Sequence, residues 1–125
     1  MDTPTPKKIL IAEDDTFLAK VYNVKLAQKG IQTTFVKDGQ EALTAMKANK
    51  PNLVLLDLIM PNKGGFETLQ EMKADPELKD IPVIILSNLG QDEDVQKGKE
   101  LGAVDYFIKS DISLDNITEI IKKYL

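Results

Sequence analysis

Short apolar runs alternate with helix-spaced segments five times along this chain, and that alternation limits the folds open to it more than any other feature. The runs are Ile9 to Ala12, Gln32 to Val36, Leu53 to Leu56, Val83 to Leu86 and Val104 to Ile108. After the first, Leu18, Val21, Tyr22 and Leu26 fall at helical spacing, and Gly30 follows as a stop. Gln40 to Ala48 is rich in good helix formers and ends before Pro51. A third helix begins near Gly65 with Phe66, Leu69 and Met72 on one face. A fourth, Asp92 to Leu101, opens acidic and stops at Gly102; the fifth opens at Ser113 and carries Leu114, Ile117, Ile120 and Ile121. Five strand-helix units predict an α/β fold, a mainly parallel sheet with right-handed crossovers. The first, third and fourth runs are nearly unbroken in apolar residues, as strands covered by helices on both faces must be.

A length of 125 residues suits one domain, expected over 7–125, with the polar, proline-containing residues 1–6 expected to be a disordered end. The chain has no histidine, cysteine or tryptophan, which excludes thiolate nucleophiles, imidazole bases and zinc sites built on Cys or His. With 20 acids against 16 bases, direct nucleic-acid binding is not expected. The longest apolar run, Leu53 to Met60, is interrupted by Asp57 and too short to span a bilayer, so no membrane insertion and a cytoplasmic location are expected. Any chemistry must come from carboxylates, hydroxyls, lysines, backbone groups or a hard cation.

Ligands of such sheets sit beyond the carboxyl ends of the strands. The first run ends in Glu13, Asp14 and Asp15, of which Asp15 reads as a helix cap. In LVLLDLIMP, Asp57 closes an apolar segment where an unpaired charge would cost several kcal/mol. A strand order 2-1-3-4-5 would set it beside Glu13 and Asp14. Three crowded carboxylates repel, and an oxygen-bound divalent ion, Mg²⁺ above all, resolves that repulsion. Ser87 and Lys109 close the fourth and fifth runs and complete a set fit for phosphoryl transfer: metal, carboxylate nucleophile, hydroxyl and ammonium.

Through ILIAEDD, LLDLIMPNKGG, PVIILS and DYFIKS, residues 7–125 resemble the receiver domain of two-component response regulators, in its single-domain, chemotaxis-regulator-like form. The resemblance implies a flavodoxin-like (βα)5 fold, doubly wound, with a five-stranded parallel sheet in that order. It makes Asp57 the phosphoacceptor and Asp14 a direct Mg²⁺ ligand, with Mn²⁺ as a substitute. Glu13 would hold the ion through water, and the Ile59 backbone carbonyl would be a further ligand. Ser87 would be the switch hydroxyl, Lys109 the ammonium that pairs with the phosphoryl group, and Tyr106 the aromatic switch that turns in as Ser87 moves. Pro61 and Gly65 match the loop after the acceptor, where glycine permits a tight turn. The chain would catalyse only its own phosphorylation and dephosphorylation. Its phosphodonor would be a sensor histidine kinase or histidine phosphotransfer protein. Its output, through the face formed by the fourth helix, fifth strand and fifth helix, would be a downstream protein contact or onward phosphotransfer. A monomer or weak dimer is expected, with no effector domain after the fifth helix if the chain is complete.

Departures from the family pattern matter. Ser110 stands where the family usually has a cis proline, so a trans bond and a shifted loop are expected. Asn88 is larger than the usual residue after the switch hydroxyl and would narrow access. Ile59 and Leu89 would flank the acceptor with apolar groups, predicting a long-lived aspartyl phosphate. Gly98 inside the fourth helix should cost about 1 kcal/mol relative to Ala and make that helix mobile. Phe17 and Val24 lie off the buried stripe of the first helix and could dock the phosphodonor. A haloacid-dehalogenase-like phosphatase would need a second acid where Ile59 stands, and the acidic loop after the first run would repel a flavin phosphate. A receiver-fold interaction module that works without phosphorylation remains the alternative.

Overall fold

The structure is a computed structural model describing residues 6–125, so most of the expected disordered end lies outside the described residues. The strands are β1 (Lys8–Ala12), β2 (Gln32–Val36), β3 (Leu53–Leu56), β4 (Val83–Ser87) and β5 (Asp105–Ile108), all parallel in the order β2-β1-β3-β4-β5. Between and after them run α1 (Thr16–Gln28), α2 (Gly39–Ala48), α3 (Gly65–Ala74), α4 (Asp92–Glu100) and α5 (Leu114–Tyr124). The expected architecture is the observed one, a flavodoxin-like (βα)5 fold.

The period of two along each strand divides the core in two. Leu10, Val54, Leu56, Val83 and Ile85 meet α2, α3 and α4, while Ile9, Ile11, Leu53, Leu55 and Ile84 meet Tyr22 and Leu26 of α1 and Ile117 and Ile121 of α5. The central strands β1, β3 and β4 are buried almost throughout, and the edge strands β2 and β5 alternate. Ser87 ends β4 as expected, its register with Ile108 continuing the ladder, but one boundary differs: Val104 lies just outside β5, half exposed, with its amide donated to the Val83 carbonyl (2.8 Å).

Asp15 caps α1 by accepting from the Leu18 amide (3.1 Å), as its position suggested. No cis peptide occurs among the described residues, so Lys109–Ser110 is trans, and a single 3-10 turn (Lys109–Asp111) leads towards α5. Gly98 has a reason other than helix looseness. A Cβ there would lie 2.7 Å from Ile85 Cδ1 and 3.0 Å from Tyr106 Cδ2, so α4 uses glycine to approach the sheet. Gly65 likewise has no positive φ; a Cβ would run into the Asp57 carbonyl and sit 2.8 Å from Leu58 Cα. The left-handed residue of that loop is Asn62, at φ 65°.

Candidate phosphoacceptor site

Parallel pairing brings the strand ends to one edge. Asp57 follows β3 with its amide on the Ala12 carbonyl (3.1 Å), and Glu13 follows β1 with its amide on the Val36 carbonyl (2.9 Å). Two carboxylates distant in sequence therefore leave neighbouring backbones side by side. Both are buried, Glu13 at 5% exposure and Asp57 at 7%, whereas Asp14 is exposed. One oxygen from each of the three lies within 4.8 Å of the others. A set made only of carboxylate oxygens fits a hard divalent cation such as Mg²⁺ or Mn²⁺.

Lys109, arriving from the end of β5, reaches across the sheet edge. Its Nζ donates to Asp57 Oδ2 at 2.8 Å and to Glu13 Oε1 and Oε2 at 2.8 and 2.9 Å. Burial alone would lower the ammonium's pKa, but Asp57 and then Glu13 raise it above the usual lysine range. Burial and the neighbouring Asp57 carboxyl push Glu13 up to about 7. Burial also acts to raise Asp57, yet the Glu13 carboxyl, Lys109 and the Ile59 amide (3.3 Å to Oδ1) together hold it below the usual aspartate range. Of two acids that cannot both ionise cheaply, Glu13 is the one that takes a proton as pH falls below about 7, while Asp57 keeps its charge.

Ser87 is fully buried, and its Oγ accepts from the Leu89 amide (3.3 Å). Tyr106 departs from the expected resting position. Its ring is already turned in, 8% exposed, with its hydroxyl donated to the Leu89 carbonyl. The gap left by Gly98 accommodates it. The Leu89 side chain packs against the core, and Asn88 accepts from the Ser110 amide (3.2 Å), tying the β4-α4 loop to the turn after β5. Ile59 is 61% exposed, as are Phe17 at 75% and Val24 at 58% on α1.

Three residues near the site had no site role in the sequence reading, which placed Tyr22 only on the helical stripe of α1. Tyr22 is buried on α1 and borders, with Glu13, Asp57 and Lys109, a small gap below the acids; burial and then the Glu13 charge raise its pKa. Asp38 caps α2 and also accepts from Asn62. The Asp-Gly pair before α2 and the asparagine of the PNKGG turn were the available signals.

The chain matches the family described as response regulator receiver domain over residues 9–122. It is 39% identical over 103 residues to the probable transcriptional regulator ycf27 of Cyanophora paradoxa, covering 82% of this chain and 42% of that protein. The chain thus spans less than half the length of the curated relatives it matches. Among solved structures it resembles the phosphorylated cyanobacterial phytochrome response regulator RcpA (34% identity, TM-score 0.82, covering 95% of this chain and 91% of that one). It also resembles the Mn²⁺-bound form of response regulator Rcp1 (31% identity, TM-score 0.81, covering 94% and 91%). Sequence match, strand order and overall shape agree, and the chain belongs to the response regulator receiver domain family.

Proposed function

We propose that the chain accepts a phosphoryl group on Asp57 from a phosphohistidine of a sensor kinase or histidine phosphotransfer protein, with Mg²⁺ held by Asp14, Asp57, the Ile59 carbonyl and, through water, Glu13. The observation that carries this reading is the meeting of Asp57, Glu13, Asp14 and Lys109 at one sheet edge, with Asp57 kept ionised. Relatives solved in phosphorylated and Mn²⁺-bound forms support it.

In the transfer, an Asp57 oxygen attacks phosphorus, the donor's N–P bond breaks, and the electron pair returns to the donor imidazole. Bound Mg²⁺ supplies positive charge against the phosphoryl oxygens. Lys109 exchanges its contact with Asp57 Oδ2 for one of those oxygens, and Ser87 turns its hydroxyl to another. Phosphorylation adds roughly 1.5 to 2 negative charges, enough to reposition both. Since Tyr106 is already seated inward, the added charge would consolidate the α4-β5-α5 surface rather than build it anew, favouring a downstream protein or onward transfer. Phe17 and Val24, both exposed on α1, offer the phosphodonor an apolar foothold. Among the described residues no helix is long and apolar enough to cross a membrane.

The test is incubation with Mg²⁺ and acetyl phosphate. An acid-stable, base-labile adduct absent from Asp57→Ala is expected; no adduct under saturating donor would favour an interaction module that works without phosphorylation.

A further inference from the structure

The loop Leu58–Gly64 that follows Asp57 contains no helix or strand, and its tip buries little: Ile59, Pro61 and Asn62 are exposed. Ile59 is the exposed residue between Leu58, buried in the core, and Met60, packed against it, and its amide donates to Asp57 Oδ1 (3.3 Å), so the near end of the loop is held by packing and by the acceptor itself. At its base the loop is closed by the Gly65 amide on the Leu58 carbonyl (3.0 Å). At its far end it is tied to a different helix. Asn62 Nδ2 donates to Asp38 Oδ2 at 2.7 Å, and the Gly39 amide donates to the Lys63 carbonyl at 2.9 Å. Asp38 is 5% exposed, and its other oxygen accepts from the Glu41 amide at 2.8 Å, capping α2. Its carboxylate is held below the usual aspartate range by that amide and then by Asn62, so it is a permanent acceptor. Asn62 is also the non-glycine residue with positive φ among those described, a conformation that persists where the surroundings hold it.

Resting on the reading above, in which the Ile59 carbonyl is a metal ligand, we infer that Asp38 and Asn62 are positioning residues whose hydrogen bond holds the loop after Asp57 so that this carbonyl faces the metal site. One carboxylate serves both the helix cap and the loop, so α2 acts as the fixed strut against which the loop is set. Carboxylates can reorient toward a cation by side-chain rotation. A backbone carbonyl can be aimed only by fixing its loop.

The experiment is calorimetric Mg²⁺ titration of the intact chain and three variants, each with a urea unfolding curve taken without divalent ions. Asn62→Gly retains the backbone conformation and net charge but loses the hydrogen bond. Asp38→Asn offers only one acceptor oxygen for two donors. The double exchange Asp38→Asn with Asn62→Asp inverts donor and acceptor at unchanged total charge. Removing a group that orients a metal ligand typically costs about 10 to 100-fold in affinity. Each single variant should therefore weaken Mg²⁺ binding about tenfold, and the double exchange should recover most of it. Lower stability in the single variants with unchanged Mg²⁺ affinity would show a purely structural bond and overturn the inference. Absence of Mg²⁺ binding by the parent chain would overturn the metal-site reading itself, and the inference with it.

Discussion

Lys109 Nζ lies 2.8 Å from Asp57 Oδ2, so the candidate acceptor meets its counter-charge within the folded chain itself. The same ammonium contacts both oxygens of Glu13, so one cation bridges two buried acids that follow different strands. Removing one partner from a buried ionic group leaves the remainder uncompensated, typically at about 3 kcal/mol or more. Lys109→Met should lose about that much stability in urea unfolding at pH 8 with a chelator present, and recover part of it with Mg²⁺. An unchanged midpoint without divalent ions would contradict this account.

Glu13 sets the pH response of the metal-free protein. Its folded value of about 7 lies above its ordinary 4.5, so between these the folded state holds a proton that the unfolded chain has released. Stability contributed in this way is present in full below pH 4.5 and lost as pH rises through 7, on the order of 3 kcal/mol in total. Asp57 acts in the opposite sense and elsewhere. Its depressed value contributes stability above its ordinary 3.8 that disappears only as pH falls through the folded value. Chelated protein should therefore become less stable from pH 5 to pH 8, and Glu13→Gln should flatten that slope; an equal slope in the variant would assign it to other groups.

Gly98→Ala tests whether α4 is loose or close-fitting. Helix propensity alone predicts a gain of about 1 kcal/mol. The contacts at 2.7 Å to Ile85 and 3.0 Å to Tyr106 predict a net loss instead, together with displacement of the Tyr106 ring. Urea unfolding gives the sign, and the NMR shifts of the Tyr106 ring report whether it has left its seat. Increased stability with unshifted tyrosine resonances would defeat the steric account.

The aspartyl phosphate should survive for minutes rather than seconds. Ile59 is 61% exposed beside Asp57 and has no polar group to orient an attacking water. Loss of radiolabel from the phosphorylated chain measures the lifetime directly, and Ile59→Asn should shorten it. Equal decay in the two proteins would remove Ile59 from the explanation.

The α/β order, the central strands and the edge bearing the acids were legible because buried parallel strands leave unbroken apolar runs, and because each run ends where a polar residue must meet solvent or a partner. Ser87, Lys109 and the three acids could be placed at one edge as soon as the strand order was assumed. The inward seat of Tyr106 could not. It depends on a glycine eight residues earlier on another element and on a carbonyl at position 89, and neither relation has a local signature.

The same division holds for the site as a whole. By itself the sequence determined which groups are present and at which strand ends they stand, since periodicity and termination are local properties of the chain. Tertiary structure decided how they share charge and what holds them. Whether Glu13 or Asp57 keeps the proton depends on depth of burial and on a lysine 96 positions away from Glu13. Likewise, the bond from Asn62 to Asp38 joins residues 24 positions apart, through space that only the packed sheet and helices define.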